Sequence, residues 1–284
     1  MADTPEQDLG PPPLASEQVL SVDDDRFAPE TVCLVTGAAS GIGRAVAFAM
    51  ADNGCTVVAT DVDEDGLAET VDVAEDAGVD GTVETVAADL REEAADVVDA
   101  AADRGQVRFL ANIAGLQHVS PIEEFPMEKY DEMHDVMLRA PLELTKHSLP
   151  HMHEAGSGAV GNMASVHGHY VTSDKVAYNV VKFGLRGLTQ SIAAEGDGTV
   201  RAYSVSTGYV ATPLVTGQIP DTAEQRGVSE QEVVEDVMLG QARNKEMMDP
   251  VEVANLFVFG FSEHASHLNG GDLPFDGGMM STYE

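Results

Sequence analysis

The stretch Thr31 to Asp61, TVCLVTGAASGIGRAVAFAMADNGCTVVATD, decides the fold. Its first run, Thr31 to Thr36, is short, apolar and β-branched, as a buried strand requires. The turn Gly37-Ala38-Ala39-Ser40-Gly41-Ile42-Gly43 follows, and from Ile42 to Asn53 the apolar spacing becomes that of a helix. A second strand-like run, Thr56 to Thr60, ends at Asp61. Strand, glycine turn, helix and strand make one βαβ unit. Glycines in that turn let backbone N–H groups approach a pyrophosphate at the helix N-terminus. A carboxylate at Asp61 suits ribose hydroxyls and repels a 2′-phosphate. Neither Ser40 nor Val62-Asp63-Glu64 offers a cation for such a phosphate, so the cofactor expected is NAD and not NADP.

The alternation continues outward. A helix over Glu64 to Ala77, a strand TVETVAA from Thr82 and a helix over Glu92 to Arg104 come next, then VRFLANIA from Val107. Further on are a helix ending near Pro150, a strand over Ala159 to Ala164, a helix bearing Tyr178, and VRAYSVS from Val200. Short strands separated by longer helices predict an α/β protein, a single Rossmann-type domain whose parallel sheet carries helices on both faces. Asp89-Leu90, after the third strand, suits the adenine edge. Residues 1–28 hold Pro5, Pro11, Pro12, Pro13 and the run Asp23 to Asp25 without apolar periodicity, which predicts a disordered leader before a domain over 29–284. Thr212 to Asn244 reads as polar loops with a short helix over Glu230 to Gly240, placed where a lid is expected (near 212–244).

Composition excludes several classes. At 284 residues and 43% hydrophobic, the chain can bury a full core. No run approaches the roughly 18 apolar residues of a membrane span, and the N-terminus lacks a secretory pattern. Cys33 and Cys55 are too few for a disulfide framework and read as buried thiols of a cytoplasmic protein. With 49 Asp and Glu against 15 Lys and Arg, the net charge of -34 argues against nucleic acid and anionic membrane as partners. Molar salt shortens the Debye length to about 3 Å, so a salt-rich cytoplasm, as in a halophile, is the expected setting. His147 and His151 stand one turn apart, but Pro150 interrupts that turn, and no metal site is expected.

The candidate chemistry lies in Ser165 to Lys182, SVHGHYVTSDKVAYNVVK. Tyr178 and Lys182 fall on one helix face, one turn apart, after a serine at a strand end. Unperturbed tyrosine titrates near ~10, and an ammonium about 4 Å away is expected to lower that toward neutrality. Ser165 would then hold the substrate oxygen while Tyr178 exchanges its proton.

Together TGAASGIG, Asp61, Ala88-Asp89-Leu90, Asn112-Ile113-Ala114-Gly115, Ser165 and Tyr178-Asn179-Val180-Val181-Lys182 resemble the short-chain dehydrogenase/reductase family, from about Thr31 to Asp276-Gly277-Gly278. The resemblance implies a seven-stranded sheet, a homotetramer and a catalytic set of Ser165, Tyr178 and Lys182. It implies an NAD site at Gly37, Ser40, Gly41, Ile42, Gly43, Asp61, Asp89, Leu90, Asn112, Ala114, Gly115, Thr212, Tyr178 and Lys182. Gln117-His118-Val119, Glu124-Phe125-Pro126, Leu149-Pro150-His151-Met152, Ser165-Val166-His167-Gly168 and Thr212-Pro213-Leu214-Val215 with Gln218-Ile219 are similar to the (R)-3-hydroxybutyrate dehydrogenases. That likeness implies a short carboxylate held by Gln117, His167, Lys175 and Gln218, with Tyr209 at a position near the substrate. One ammonium among neutral donors is a sensible cage for such an anion.

Departures accompany the likeness. Met137 stands where the family carries a fourth catalytic residue, an asparagine. Thr207-Gly208 replaces a proline-glycine, Tyr209 a tryptophan, and Ile113 the second asparagine of its motif. The expected activity is NAD-dependent interconversion of (R)-3-hydroxybutyrate and acetoacetate. The alternatives are a dehydrogenase of another small hydroxy acid or secondary alcohol, and a non-catalytic NAD-binding sensor or scaffold.

Overall fold

The computed structural model describes residues 12–281. Seven parallel strands form one sheet: β1 (Thr31–Thr36), β2 (Thr56–Asp61), β3 (Thr82–Ala87), β4 (Gln106–Asn112), β5 (Gly158–Met163), β6 (Val200–Thr207) and β7 (Gly271–Phe275). Their order is β3-β2-β1-β4-β5-β6-β7. The helices are α1 (Gly41–Asp52), α2 (Glu64–Ala77), α3 (Ala94–Ala102), α4 (Met127–His134), α5 (Ala140–Glu154), α6 (Val176–Glu195), α7 (Pro213–Thr216), α8 (Ile219–Arg226), α9 (Glu230–Glu232) and α10 (Pro250–Phe261).

Strand periodicity builds the two layers. Along β1, Cys33 and Val35 enter one core with α1, Leu67 of α2, and α10, whereas Val32 and Leu34 enter the other with α3, α5 and Ile192 of α6. Every residue of β1 is buried, as expected of a central parallel strand covered on both faces. Both cysteines are free and buried in the first of these cores. Desolvation pushes the Cys55 thiol up to about 12.

The order reverses between β1 and β4, and this creates the crevice in which an open α/β sheet binds its ligand. Thr36 ties the two strand ends together there: its Oγ1 accepts from Ile113 N at 2.9 Å and Ala114 N at 3.0 Å.

Three expectations need correction. Residues 14–28 are not a disordered leader; residues 1–11 lie outside the described part. Leu20 N donates to Asn255 Oδ1 at 2.7 Å, Val22 N to Asn53 Oδ1 at 3.0 Å and Glu263 N to Asp24 Oδ2 at 2.7 Å. The Phe27 ring lies 5.3 Å from Phe109, tilted by 40°, and Leu14, Val19 and Val22 pack on the same core. Apolar residues with irregular spacing satisfied this surface, so no periodicity announced it. Secondly, α5 runs past Pro150 to Glu154. The exposed proline sits in the last turns, and the helix absorbs the missing N–H. Thirdly, the segment after Thr212 holds more helix than its text predicts: α7, α8, and α9 continuing into a π-type turn over Val233–Met238. Ile219, Ala223, Val233, Met238, Leu239 and Ala242 make a small core of their own with Val166 and Met279.

Candidate active site

A cleft of about 430 Å³ opens at the reversal point, lined at one end by Gly37, Ser40 and Gly41 and at the other by Ser165, Tyr178 and Lys182. Its floor is made by close backbone approach. A Cβ on Gly43 would stand 1.9 Å from Gly37 O, and one on Gly37 2.8 Å from Ala114 Cα, at a φ of +68. Ser40 caps α1 without a side-chain cap bond, which leaves its hydroxyl and the first-turn N–H groups to a ligand. These features fit a dinucleotide pyrophosphate.

At the end of β2 Asp61 is held by backbone. Its Oδ1 accepts from Val62 N at 2.8 Å and Asp63 N at 3.2 Å, and its Oδ2 from Ala39 N at 3.2 Å. Leu90, Ala114, Gly115, Ile42 and Thr212 also line the cleft. Asp89 lines it as well, but its carboxylate is gripped by Arg91 at 2.6 Å, which with other bonds to Arg91 holds its pKa below the usual range. Arg91 is a cation of the cleft wall that the reading of Ser40 and residues 61–64 missed, because it arrives from the loop after another strand. Asn112 is not a wall residue. It is buried, and its Nδ2 donates to Asn162 Oδ1 at 2.8 Å, pinning β4 to β5.

At the catalytic end, β5 delivers Ser165 and the first turns of α6 deliver Tyr178 and Lys182. Lys182 is 4% exposed, and its Nζ donates to Met163 O at 2.6 Å. Desolvation lowers its pKa to about 8. Its ammonium sits 5.3 Å from the centroid of the Tyr178 ring. The expected acidification of Tyr178 is not found: burial raises its pKa, and the opposing influence is a hydrogen bond from Ser165 and not the lysine. Withdrawing the phenolate from water costs more than an ammonium beside the ring face returns.

The substrate candidates come from three loops. Ser120 N donates to Asp174 O at 2.8 Å, which zips the loop bearing Gln117 to the loop bearing Lys175. Gln117 Nε2 donates to Gln218 Oε1 at 3.4 Å, so the segment after Thr212 is joined across the opening. Lys175 is partly buried, and desolvation alone lowers its pKa; no carboxylate among the described residues pairs with it. His167 is 6% exposed and packs edge-on to the Tyr178 ring at 5.5 Å. Both its ring nitrogens already have protein partners, Ser165 and Thr172. Tyr209 packs on the small core of α8, and Gln117, His167, Lys175 and Gln218, like Tyr209, lie outside the residues that line the cleft itself.

Met137 lies buried in a π-type turn, Asp135–Arg139, between α4 and α5. Its sulfur would stand 3.5 Å from a Cβ on Gly115, so an apolar thioether backs the cleft at that point. Among the described residues no group of His, Cys, Asp and Glu is arranged to hold a metal ion, and no helix is long and apolar enough to cross a membrane.

The profile of a family described as enoyl-(acyl carrier protein) reductase matches residues 37–280. The chain belongs to the short-chain dehydrogenase/reductase family. It is 36% identical over 253 residues to a D-beta-hydroxybutyrate dehydrogenase of Rhizobium meliloti, covering 87% of this chain and 98% of that one. The structure of a levodione reductase superposes with a TM-score of 0.84 at 29% identity, covering 91% of this chain and 100% of the other. A putative NAD(P) dependent gluconate 5-dehydrogenase from Beutenbergia cavernae, with bound NADP, superposes with a TM-score of 0.80 at 31% identity, covering 90% and 98%. As a member of this oxidoreductase family, the chain carries the seven-stranded Rossmann sheet in one domain.

Proposed function

We propose that this short-chain dehydrogenase interconverts (R)-3-hydroxybutyrate and acetoacetate with NAD. One observation carries the reading: a desolvated Lys175 with no carboxylate partner among the described residues, in a chain with 49 acidic residues, on a loop that Ser120 ties to the loop of Gln117, which in turn meets Gln218. A short carboxylate supplies the missing counter-charge. It would accept from Lys175, Gln117 and Gln218, while His167 spends its nitrogens on Ser165 and Thr172. The relative named for hydroxybutyrate supports the same substrate.

NAD bound along the glycine turn and Asp61 would supply the acceptor for hydride from C3 of the hydroxy acid. Ser165 holds the reacting oxygen and Tyr178 exchanges its proton, with the buried charge of Lys182 beside the ring. The raised pKa of Tyr178 has a direction: the phenol is the form present at neutral pH, suited to protonating acetoacetate during reduction. Oxidation needs the phenolate, so its rate rises with pH through and beyond neutrality. Preference for NAD is supported by Asp61, oriented by three backbone N–H groups, and by Arg91, whose charge Asp89 offsets. A 2′-phosphate would meet that carboxylate.

A second reading, a non-catalytic dinucleotide binder, is favoured by Met137 and by the undiminished acidity barrier of Tyr178. Homotetramer formation is supported by exposed Leu142, Val180 and Phe183 on α5 and α6.

The test is NADH formation from (R)-3-hydroxybutyrate in high salt, set beside NADP and a neutral hydroxy ester. Lys175→Ala should raise KM for the acid roughly 10- to 100-fold, since a charge-assisted hydrogen bond is worth about 1.5–3 kcal/mol, and leave the ester nearly unchanged. Equal effects on acid and ester would remove the cage, and turnover absent from every substrate would leave the second reading.

A further inference from the structure

Thr172 has no part in the roles above, yet it joins the two halves of the catalytic set. Its carbonyl accepts from Asn179 Nδ2 at 2.9 Å, and Asn179 is the buried neighbour of Tyr178 on α6. Its Oγ1 lies 3.0 Å from His167 Nε2, and His167 Nδ1 lies 3.3 Å from Ser165 Oγ. A chain of contacts therefore runs from the tyrosine helix through an exposed threonine and a buried imidazole to the serine.

The direction of the proton in that chain matters. A neutral imidazole has one N–H and one lone pair. His167 is neutral at physiological pH, since burial, with Lys175 and Lys182 facing it, lowers its pKa to about 4. The Tyr178 and Tyr170 rings pack on it and add no charge at that pH. With the proton on Nε2, Ser165 has to spend its hydroxyl proton on Nδ1. With the proton on Nδ1, the ring donates to Ser165 Oγ, which also accepts His167 N–H at 3.2 Å. Both serine lone pairs are then filled, and the hydroxyl proton points outward to the reacting oxygen and Tyr178. The Thr172 hydroxyl, the partner at Nε2 among the described residues, can donate or accept, so the serine decides the direction. Only the Nδ1–H ring leaves the Ser165 proton free, and Thr172 then donates to Nε2.

We propose that Thr172 is a positioning residue. Its hydroxyl holds His167 in the Nδ1–H tautomer, and His167 in turn aims the Ser165 hydroxyl at the substrate oxygen. This rests on the dehydrogenase reading of the site, and it moves His167 from the carboxylate cage to the support of Ser165.

Two measurements on the full chain decide it. Nitrogen-15 NMR of the histidine rings should give His167 the Nδ1–H pattern in the parent protein and lose it in Thr172→Val. That readout needs no turnover. In steady-state kinetics, Thr172→Val should lower kcat by up to about 10²-fold, the scale of a misplaced group, with KM for the hydroxy acid within about twofold. Thr172→Ser, which keeps the hydroxyl, should restore kcat. An Nε2–H ring in the parent overturns the proposal. So does Thr172→Val with kcat intact, or with KM for the acid as its main change, which would return His167 to the carboxylate. A parent inactive on all hydroxy acids would defeat the dehydrogenase reading, while the tautomer would still be measured.

Discussion

The two ends of the cleft are built by different means. At the dinucleotide end the recognising groups are backbone: the first turn of α1, the close approach of Gly43 to Gly37 O, and an Asp61 held by three N–H groups. At the Tyr178 end they are side chains, some brought together from distant loops, as Gln117 meets Gln218, and some from a single loop, as His167 spans Ser165 and Thr172. Backbone recognition tolerates drift in surface residues but admits no added atom. Side-chain recognition adapts its chemistry freely but depends on every neighbour that sets a rotamer or a tautomer.

Substitution at each end should separate the two strategies. Tyr178→Phe is expected to have the largest effect, lowering turnover by roughly 10²–10⁴, the usual worth of a general acid–base group, while leaving NADH affinity in a fluorescence titration within about twofold. A large loss of affinity there would mean that the two ends are not independent. Gly43→Ala should do the reverse. Its Cβ would collide with Gly37 O, and overpacking of about 1–3 kcal/mol weakens NADH binding roughly 10- to 100-fold. Unchanged affinity would show that the loop is not the rigid half of the pair.

Acid should expose the substrate end first. His167 titrates near 6.5 unfolded and about 4 folded, so between those values the unfolded chain binds more protons. The stability contributed is complete above pH 6.5 and is lost as pH falls to 4, by up to about 3 kcal/mol. Urea unfolding of His167→Gln at pH 7 and pH 4.5 should show a flatter pH dependence than the parent; equal slopes would refute the assignment. The smallest and least local effect is expected from salt. With a net charge of -34, the melting temperature should rise from dilute buffer to molar KCl, and a maximum in dilute buffer would end the halophile proposal.

Legibility follows the same division. The glycine turn, Asp61 and the pair Tyr178–Lys182 are each read within a few residues of one another, where helix and strand geometry dictate who faces whom. Arg91 in the cleft wall and the Ser120–Asp174 zip are not, because each depends on where loops from different strands come to rest. Nor is the Thr172–His167 contact, because it depends on the irregular path of one loop, which has no period to read. Residues 14–28 illustrate the same point: irregularly spaced Leu14, Val19, Val22 and Phe27 acquire meaning only against the surface of α1 and α10.

From its residues alone the chain specifies a βαβ-built parallel sheet, a pyrophosphate turn, and a serine, tyrosine and lysine in catalytic spacing, since period and spacing are properties of the chain itself. Tertiary structure alone decided how acidic Tyr178 is, which groups His167 serves, and that no carboxylate among the described residues pairs with Lys175. The physical reason is that desolvation and hydrogen-bond direction depend on what surrounds a group in space, which the order of residues along an irregular loop does not state.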